Sequence, residues 1–452
     1  MPDSQIALRF LLPFTGCAFA FFVGWFITCD PNPFTMITIL AGIVMCCMAL
    51  SNPVLGVYLL IFTTGYLDLV KRFGILSDAL SGIDVVVTLA LAPVLFVSIC
   101  GGVLYRNIIA GVWLSRWQMW LALAITLSMG AVFVDAFHNG EGMAFALKDF
   151  ANSGVYLLLV LVGCFLFTNT ASVKRLLAFT LVVYIPVACY AIWQAFFGLA
   201  DFEVDYLKSG FTIDISLLDQ DVLRPFSTLN SPHALAIVMA MLSALTFFVP
   251  FGGNRRVWWQ IPVGLIFAGG CAATFVRAGW VLLLLAFVIW ICSRWKAMTF
   301  LMYATIAAGF IFLFSNADSM LRSLDVLDNA LPQQNATQTE AFHVATFSDR
   351  LVSFHNVMTN PAFHTWFGNR DAAELELDSR ENIAHDQIGQ ILISYGFAGL
   401  VLFGVLLVLG LWLAHRAVFR QQDKAKRGIL IGILSIELAT ILSGMLFGMR
   451  FS

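Results

Sequence analysis

Long runs of apolar side chains recur along almost the whole chain, and a run such as "GLVLFGVLLVLGLWLA" (399–414) leaves few folds open. About 18 or more apolar residues in succession suffice to cross a bilayer as a helix. Within hydrocarbon the backbone must satisfy its own hydrogen bonds, which selects helices over open sheets. Hydrophobic residues make up 60% of the 452 and charged residues 12%, against about 25% charged in a soluble domain. The expectation is an all-α polytopic membrane protein, one integral membrane domain over 1–452.

Thirteen apolar segments stand out, at about 10–28, 34–50, 53–67, 84–103, 117–134, 150–168, 176–197, 232–250, 257–275, 279–293, 298–315, 387–413 and 428–449. They predict about 12–13 transmembrane helices, with no internal repeat. The first run follows Arg9, exceeds the length of a signal-peptide core and lacks a small-x-small cleavage site, so a retained span is expected. The nine Cys are scattered without CxxC or Cys/His spacing, and neither a disulfide framework nor a zinc site is expected.

Charge sets the orientation. Alternate short loops hold 14 of the 25 basic residues with only Asp3 and Asp423 as acids, and the opposite set holds 24 of the 27 acids. By the positive-inside rule the N-terminus and the basic loops are cytoplasmic and the acidic loops face outward. Two outward loops are long, about 199–231 and about 316–386. Loops of that length are usually functional or flexible. The second holds "SDRLVSFHNVM" (348–358), in which Leu351, Phe354 and Met358 share one helical face.

Against the trend, Arg224, Arg277, Arg350 and His385 lie on the outward side. Arg224 opens "RPFSTLNSPHALA" (224–236), where Asn230 or Ser231 caps a helix with Pro232 in its first turn. A helix N-terminus attracts anions and an Arg adds fixed positive charge; the other reading is an interfacial Arg paired with Asp219 or Asp221. Arg277, in "TFVRAGWVLLLL" (274–285), marks a tight outward hairpin, and reads either as part of a site or as a snorkelling interfacial Arg. Arg350, taken alone, reads as a surface residue of the long loop.

His385 starts a long span, with Asp386 beside it. Neutral imidazole is the usual general base near pH 7. Asp386 either complements the helix dipole or tunes its neighbour. "DFEVD" (201–205) alternates acids as a metal or base cluster does, yet without a partner motif it is expected to be solvated loop. Glu437, inside the last span, is expected to pair with another helix.

The order of these residues resembles the O-antigen ligase and O-antigen polymerase superfamily. "RPFSTLNSPHALA" is similar to its Arg-led outer block, and "RAGWV" (277–281) to its Arg-x-x-x-Leu element, with Val281 at the Leu position. "SDRLVSFHNVMTNPAFHTWFGN" (348–369) and "AHDQIGQILISYGFAGL" (384–400) resemble its large loop and closing motif, in which a His and a polar residue precede nine residues and Gly-x-x-Gly. Asp386 stands where ligases usually carry Asn, Ser or Gln.

That resemblance implies a metal-independent GT-C-type glycosyltransferase of the bacterial inner membrane, without a cofactor or nucleic-acid partner. Its donor is an undecaprenyl-diphosphate-linked oligosaccharide and its acceptor a hydroxyl of a glycan or lipid, with membrane lipids around it. Arg224 and Arg277 then bind the diphosphate, Arg350, Asp386 and Asn230 support, and His385 is the base. Ligase and polymerase subtypes stay open. A flippase or other secondary transporter is the competing class; such proteins place ionisable residues near the midplane of two related halves, whereas only Glu437 lies well inside a span here.

Overall fold

The computed structural model describes residues 33–76, 82–111, 115–138, 155–208, 217–219, 222–252, 258–295, 357, 365–368 and 387–447. Eleven of the thirteen expected segments coincide with helix, and the segments at 10–28 and 298–315 lie outside the described residues. Among the described residues, five helices are long and apolar enough to cross a membrane, and five more are apolar but shorter. The protein is an all-α polytopic membrane protein.

The chain divides into two compact units. The first comprises Met1–Met119, Leu158–Tyr184 and Ala200–Ile213. Its described helices are α1 (Pro33–Ser51), α2 (Pro53–Leu76), α3 (Gly82–Ala110), α5 (Leu159–Leu166), the first part of α6 (Thr170–Phe197) and the short α7 (Asp201–Lys208). α1, α2 and α3 pack on one another. A Cβ on Gly56 would lie 2.7 Å from both the Ala49 Cβ and the Ile99 Cγ1, so a residue without a side chain lets the three backbones approach. Pro53 begins α2 directly after α1 ends, where its missing N–H costs nothing. The Arg106 guanidinium donates to the Ser51 carbonyl at 2.7 Å and so satisfies the end of α1.

"DFEVD" departs from the sequence expectation. It forms α7, and Glu203 is fully buried, 3.6 Å from the Arg72 guanidinium, which is itself 1% exposed. The second Glu203 oxygen accepts the Ala200 N–H at 3.1 Å and caps the helix it belongs to. Tyr206, 1% exposed, packs beside Ile75, with Phe34, Leu76 and Leu207 around them.

The second unit comprises Trp120–Leu157, Ile185–Leu199 and Asp214–Ser452. It holds most of α4 (Arg116–His138), the end of α6, α8 (Pro232–Phe248), α9 (Gln260–Ala273), α10 (Arg277–Cys292), α11 (Gln387–Arg420) and α12 (Lys424–Phe447). α8 packs on α9, α10 and α12. Small residues again set the spacing: a Cβ on Gly270 would lie 3.2 Å from the Ala188 Cβ, and one on Gly264 2.7 Å from the Phe247 ring. Buried Gln260 donates to the Thr246 and Val249 carbonyls at 2.7 and 2.8 Å, which ties off the end of α8 inside the bundle. Two short antiparallel strands, β1 (Leu217–Asp219) and β2 (Val222–Leu223), form a ribbon leading into Arg224. Glu437 lies on an exposed face of α12.

Candidate active site

α8 and α10 run side by side in the same direction. Near their starts, a Cβ on Gly279 would lie 3.0 Å from the Ala236 carbonyl and 2.6 Å from the Cys271 Sγ. Near their ends, the Phe248 ring stacks on Trp290 at 5.0 Å. Both N-termini, with their positive dipole ends, therefore lie together. Ser231 is the N-cap of α8, its hydroxyl accepting the Ala234 N–H at 3.2 Å with Pro232 following. Of the two caps the sequence allowed, Ser231 is used; Asn230 is exposed.

The loop that carries Arg224 is held from beneath. Phe226, Ser227, Thr228 and Leu229 are all buried. Ser227 has φ 51°, an uncommon conformation for a side-chain-bearing residue. It is fixed by two bonds to α6: its N–H donates to the Gln194 Oε1 at 2.7 Å and its hydroxyl to the Val187 carbonyl at 2.7 Å. Strain at one residue persists where the surroundings over-determine it. The α9–α10 turn repeats the pattern. Phe275 has φ 55°, and the buried Thr274 hydroxyl donates to the Cys271 carbonyl at 2.7 Å while accepting the Val276 N–H at 3.2 Å. Arg277 follows at once as the first residue of α10, exposed at its end.

Arg224 and Arg277 are thereby brought together. Burial, and after it the charge of Arg277, push the half-buried Arg224 guanidinium below its ordinary value. Arg224 Nε is buried without a hydrogen-bond partner among the described residues. Two like charges set close on rigid supports, one of them partly dehydrated, favour an anion between them. The side chains of Asp219 and Asp221 lie outside what the structure describes.

His385, Asp386 and Arg350 lie outside the described residues. The helix after His385 is described and differs from the single span expected at 387–413. α11 breaks at Gly396, where φ is 61° and ψ −163°, and the part apolar enough to cross a membrane is Tyr395–Arg420. Residues 365–368 dock on the break: the Phe397 N–H donates to the Thr365 carbonyl at 3.0 Å and the Ala398 N–H to the Trp366 carbonyl at 3.1 Å. Phe367 of that segment lines an apolar cavity of about 230 Å³ with Phe133, Val134 and Phe137 of α4.

A bundle of apolar helices with two arginines close together near adjacent helix starts defines a multi-pass membrane protein. Residues 262–404 match the family model for O-antigen ligase, so this part of the chain is similar to that family. The matched span contains Arg277, Arg350, His385, Asp386 and the Gly396 break; Arg224 and Asn230 precede it. No curated protein matches the chain.

The sequence reading missed Gln194 and Ser227. The available signal was one Gln in the apolar "YAIWQAFF" (190–197), buried to 3% exposure in the structure. Gln194→Met keeps the volume and removes the acceptor, leaving the buried Ser227 N–H unsatisfied. An unmade buried bond costs about 1–3 kcal/mol, so the Arg224 loop loosens. Steady-state assays are expected to show donor KM raised about tenfold, the equivalent of about 1.4 kcal/mol, with kcat less affected.

Proposed function

We propose that the protein transfers a glycan from undecaprenyl diphosphate to an acceptor hydroxyl at the outer face of the bacterial inner membrane, with its N-terminus cytoplasmic. The observation that carries this reading is the apposition of Arg224 and Arg277 at two adjacent helix starts. A planar guanidinium meets phosphate oxygens two at a time, and a pair of them matches a diphosphate.

The acceptor oxygen attacks the anomeric carbon, the bond from that carbon to the phosphate oxygen breaks, and the lipid diphosphate leaves. The acceptor proton passes to His385. Negative charge grows on the leaving group as the bond lengthens, and arginines already aimed at it stabilise the transition state without reorganising. Arg350 and Asn230 support the donor, and Asp386 orients or tunes His385. With the arginines in the role of the cation, the reaction is metal-independent, of GT-C type, and a chelator leaves the rate unchanged. The acceptor, a glycan end or a lipid, distinguishes polymerase from ligase.

The test is incubation of the purified protein with a polyprenyl-diphosphate-linked glycan and candidate acceptors, following free polyprenyl diphosphate. Release that depends on acceptor supports transfer; donor crossing the bilayer intact would make the protein a transporter instead. Arg277→Lys retains charge but loses the fork, and is expected to weaken donor binding about tenfold. Equal binding by the Lys variant would remove bidentate recognition.

A further inference from the structure

α11 breaks at the start of its apolar span, Tyr395–Arg420, and another part of the chain docks on the break. At φ 61° and ψ −163°, Gly396 occupies a region of backbone space essentially closed to residues with a Cβ. Space closes it as well: a Cβ there would lie 2.5 Å from both the Gly368 nitrogen and the Thr365 carbonyl oxygen. An unbroken helix would turn the Phe397 and Ala398 N–H groups toward carbonyls four residues back. Here they point to Thr365 and Trp366. The first N–H groups of a helix have no intrahelical partner, and these two carbonyls supply one to each.

We propose that Gly396 and the carbonyls of Thr365 and Trp366 form a latch that sets the direction of the helical segment 387–395, and that Gly396 is a positioning residue for the transfer reaction. Two chain segments meet at this point. The span from Tyr395 onward is anchored in the bundle through α12, on which α11 packs. The segment 387–395 leads back in sequence to Asp386 and His385. The segment 365–368 belongs to the same long outward loop as Arg350. Seating it fixes the angle between anchored span and short helix, and with that the place from which the base works. The inference rests on the reading of His385 as base, and goes beyond it by assigning the job of placing that base to residues that touch neither substrate.

The geometry also supplies a selective test. Phe397 is the first residue after the break, the position where a helix accepts proline because its N–H has no intrahelical partner. Phe397→Pro therefore leaves the span intact while deleting the donor to Thr365, and Phe397→Ala removes the same ring but keeps that donor. Proline is expected to lower kcat about 10–100-fold, the scale set by misplacing a catalytic group by about 1 Å. Donor KM, governed by the arginines, stays within about twofold, and Phe397→Ala stays near the parent in both. Gly404→Ala, where an added Cβ meets nothing within 4 Å, is the neutral control.

Hydrogen exchange on the parent needs no variant: the Phe397 and Ala398 amides are expected to be protected like helix-interior amides, and Ala398 to lose protection in Phe397→Pro. Unprotected amides in the parent, unchanged Ala398 protection in the proline variant, parental kcat in that variant, or equal losses in the Pro and Ala variants would each overturn the latch. Should His385→Ala transfer at full rate while the proline variant still loses kcat, the base assignment falls and the latch stands as placing another group on the short helix.

Discussion

His385→Ala is expected to slow transfer about 10²–10⁴-fold, the range a positioned general base contributes. The hydroxyl of a sugar or lipid acceptor is a poor nucleophile until its proton has a destination. Imidazole is the side chain suited to accept such a proton near neutral pH, and His385 lies in sequence just ahead of the closing glycines. Donor binding is assigned to Arg224 and Arg277, so the variant should bind the lipid-linked glycan as the parent does. The loss then falls on kcat rather than on donor KM. The measurement is single-turnover release of polyprenyl diphosphate alongside equilibrium donor binding. A variant at full rate means that another group takes the proton.

Glu203→Ala carries the largest expected change in stability. Glu203 is fully buried and its partner Arg72 nearly so. Removing one partner of a buried ion pair costs about 3–5 kcal/mol, because the remaining charge keeps its dehydration without compensation. Glu203 also caps α7, and that bond to the Ala200 N–H goes with it. Thermal unfolding in detergent should show a lowered midpoint. The double variant Arg72→Met, Glu203→Leu should recover most of the loss, since well-packed apolar replacements of such a pair are often neutral or stabilising. If Glu203→Ala unfolds at the parental midpoint, or the double variant is worse than the single, the pair is not what holds α7 to α2.

The sequence revealed the elements whose signal is local. Apolar runs mark helices because a segment in hydrocarbon must bond within itself, and Ser231-Pro232 marks a helix start through its own side chains. Arg224 and Arg277 were legible as outward cations in a basic-poor region. Their mutual approach was not, because it depends on Gly279 letting α10 against α8. Glu203 read as a loop acid because its partner, Arg72, lies far upstream at the end of another helix. The break at Gly396 was hidden for the opposite reason. Every residue around it is compatible with continuous helix, and only the carbonyls of a distant segment make the break the better solution.

The lengths of α9 and α10 bear on how a lipid-borne substrate reaches the arginines. At 14 and 16 residues, they extend about 21 and 24 Å, against a hydrocarbon core of about 30 Å. Hydrophobic mismatch of this sign draws the leaflet inward or leaves the turn beneath it. In both cases the turn bearing Arg277 sits lower than the end of a full-length span. On the proposed function, a polyprenyl carrier diffusing in the leaflet would meet the two guanidinia at the depth of its own phosphates, entering sideways from the lipid rather than from the water above.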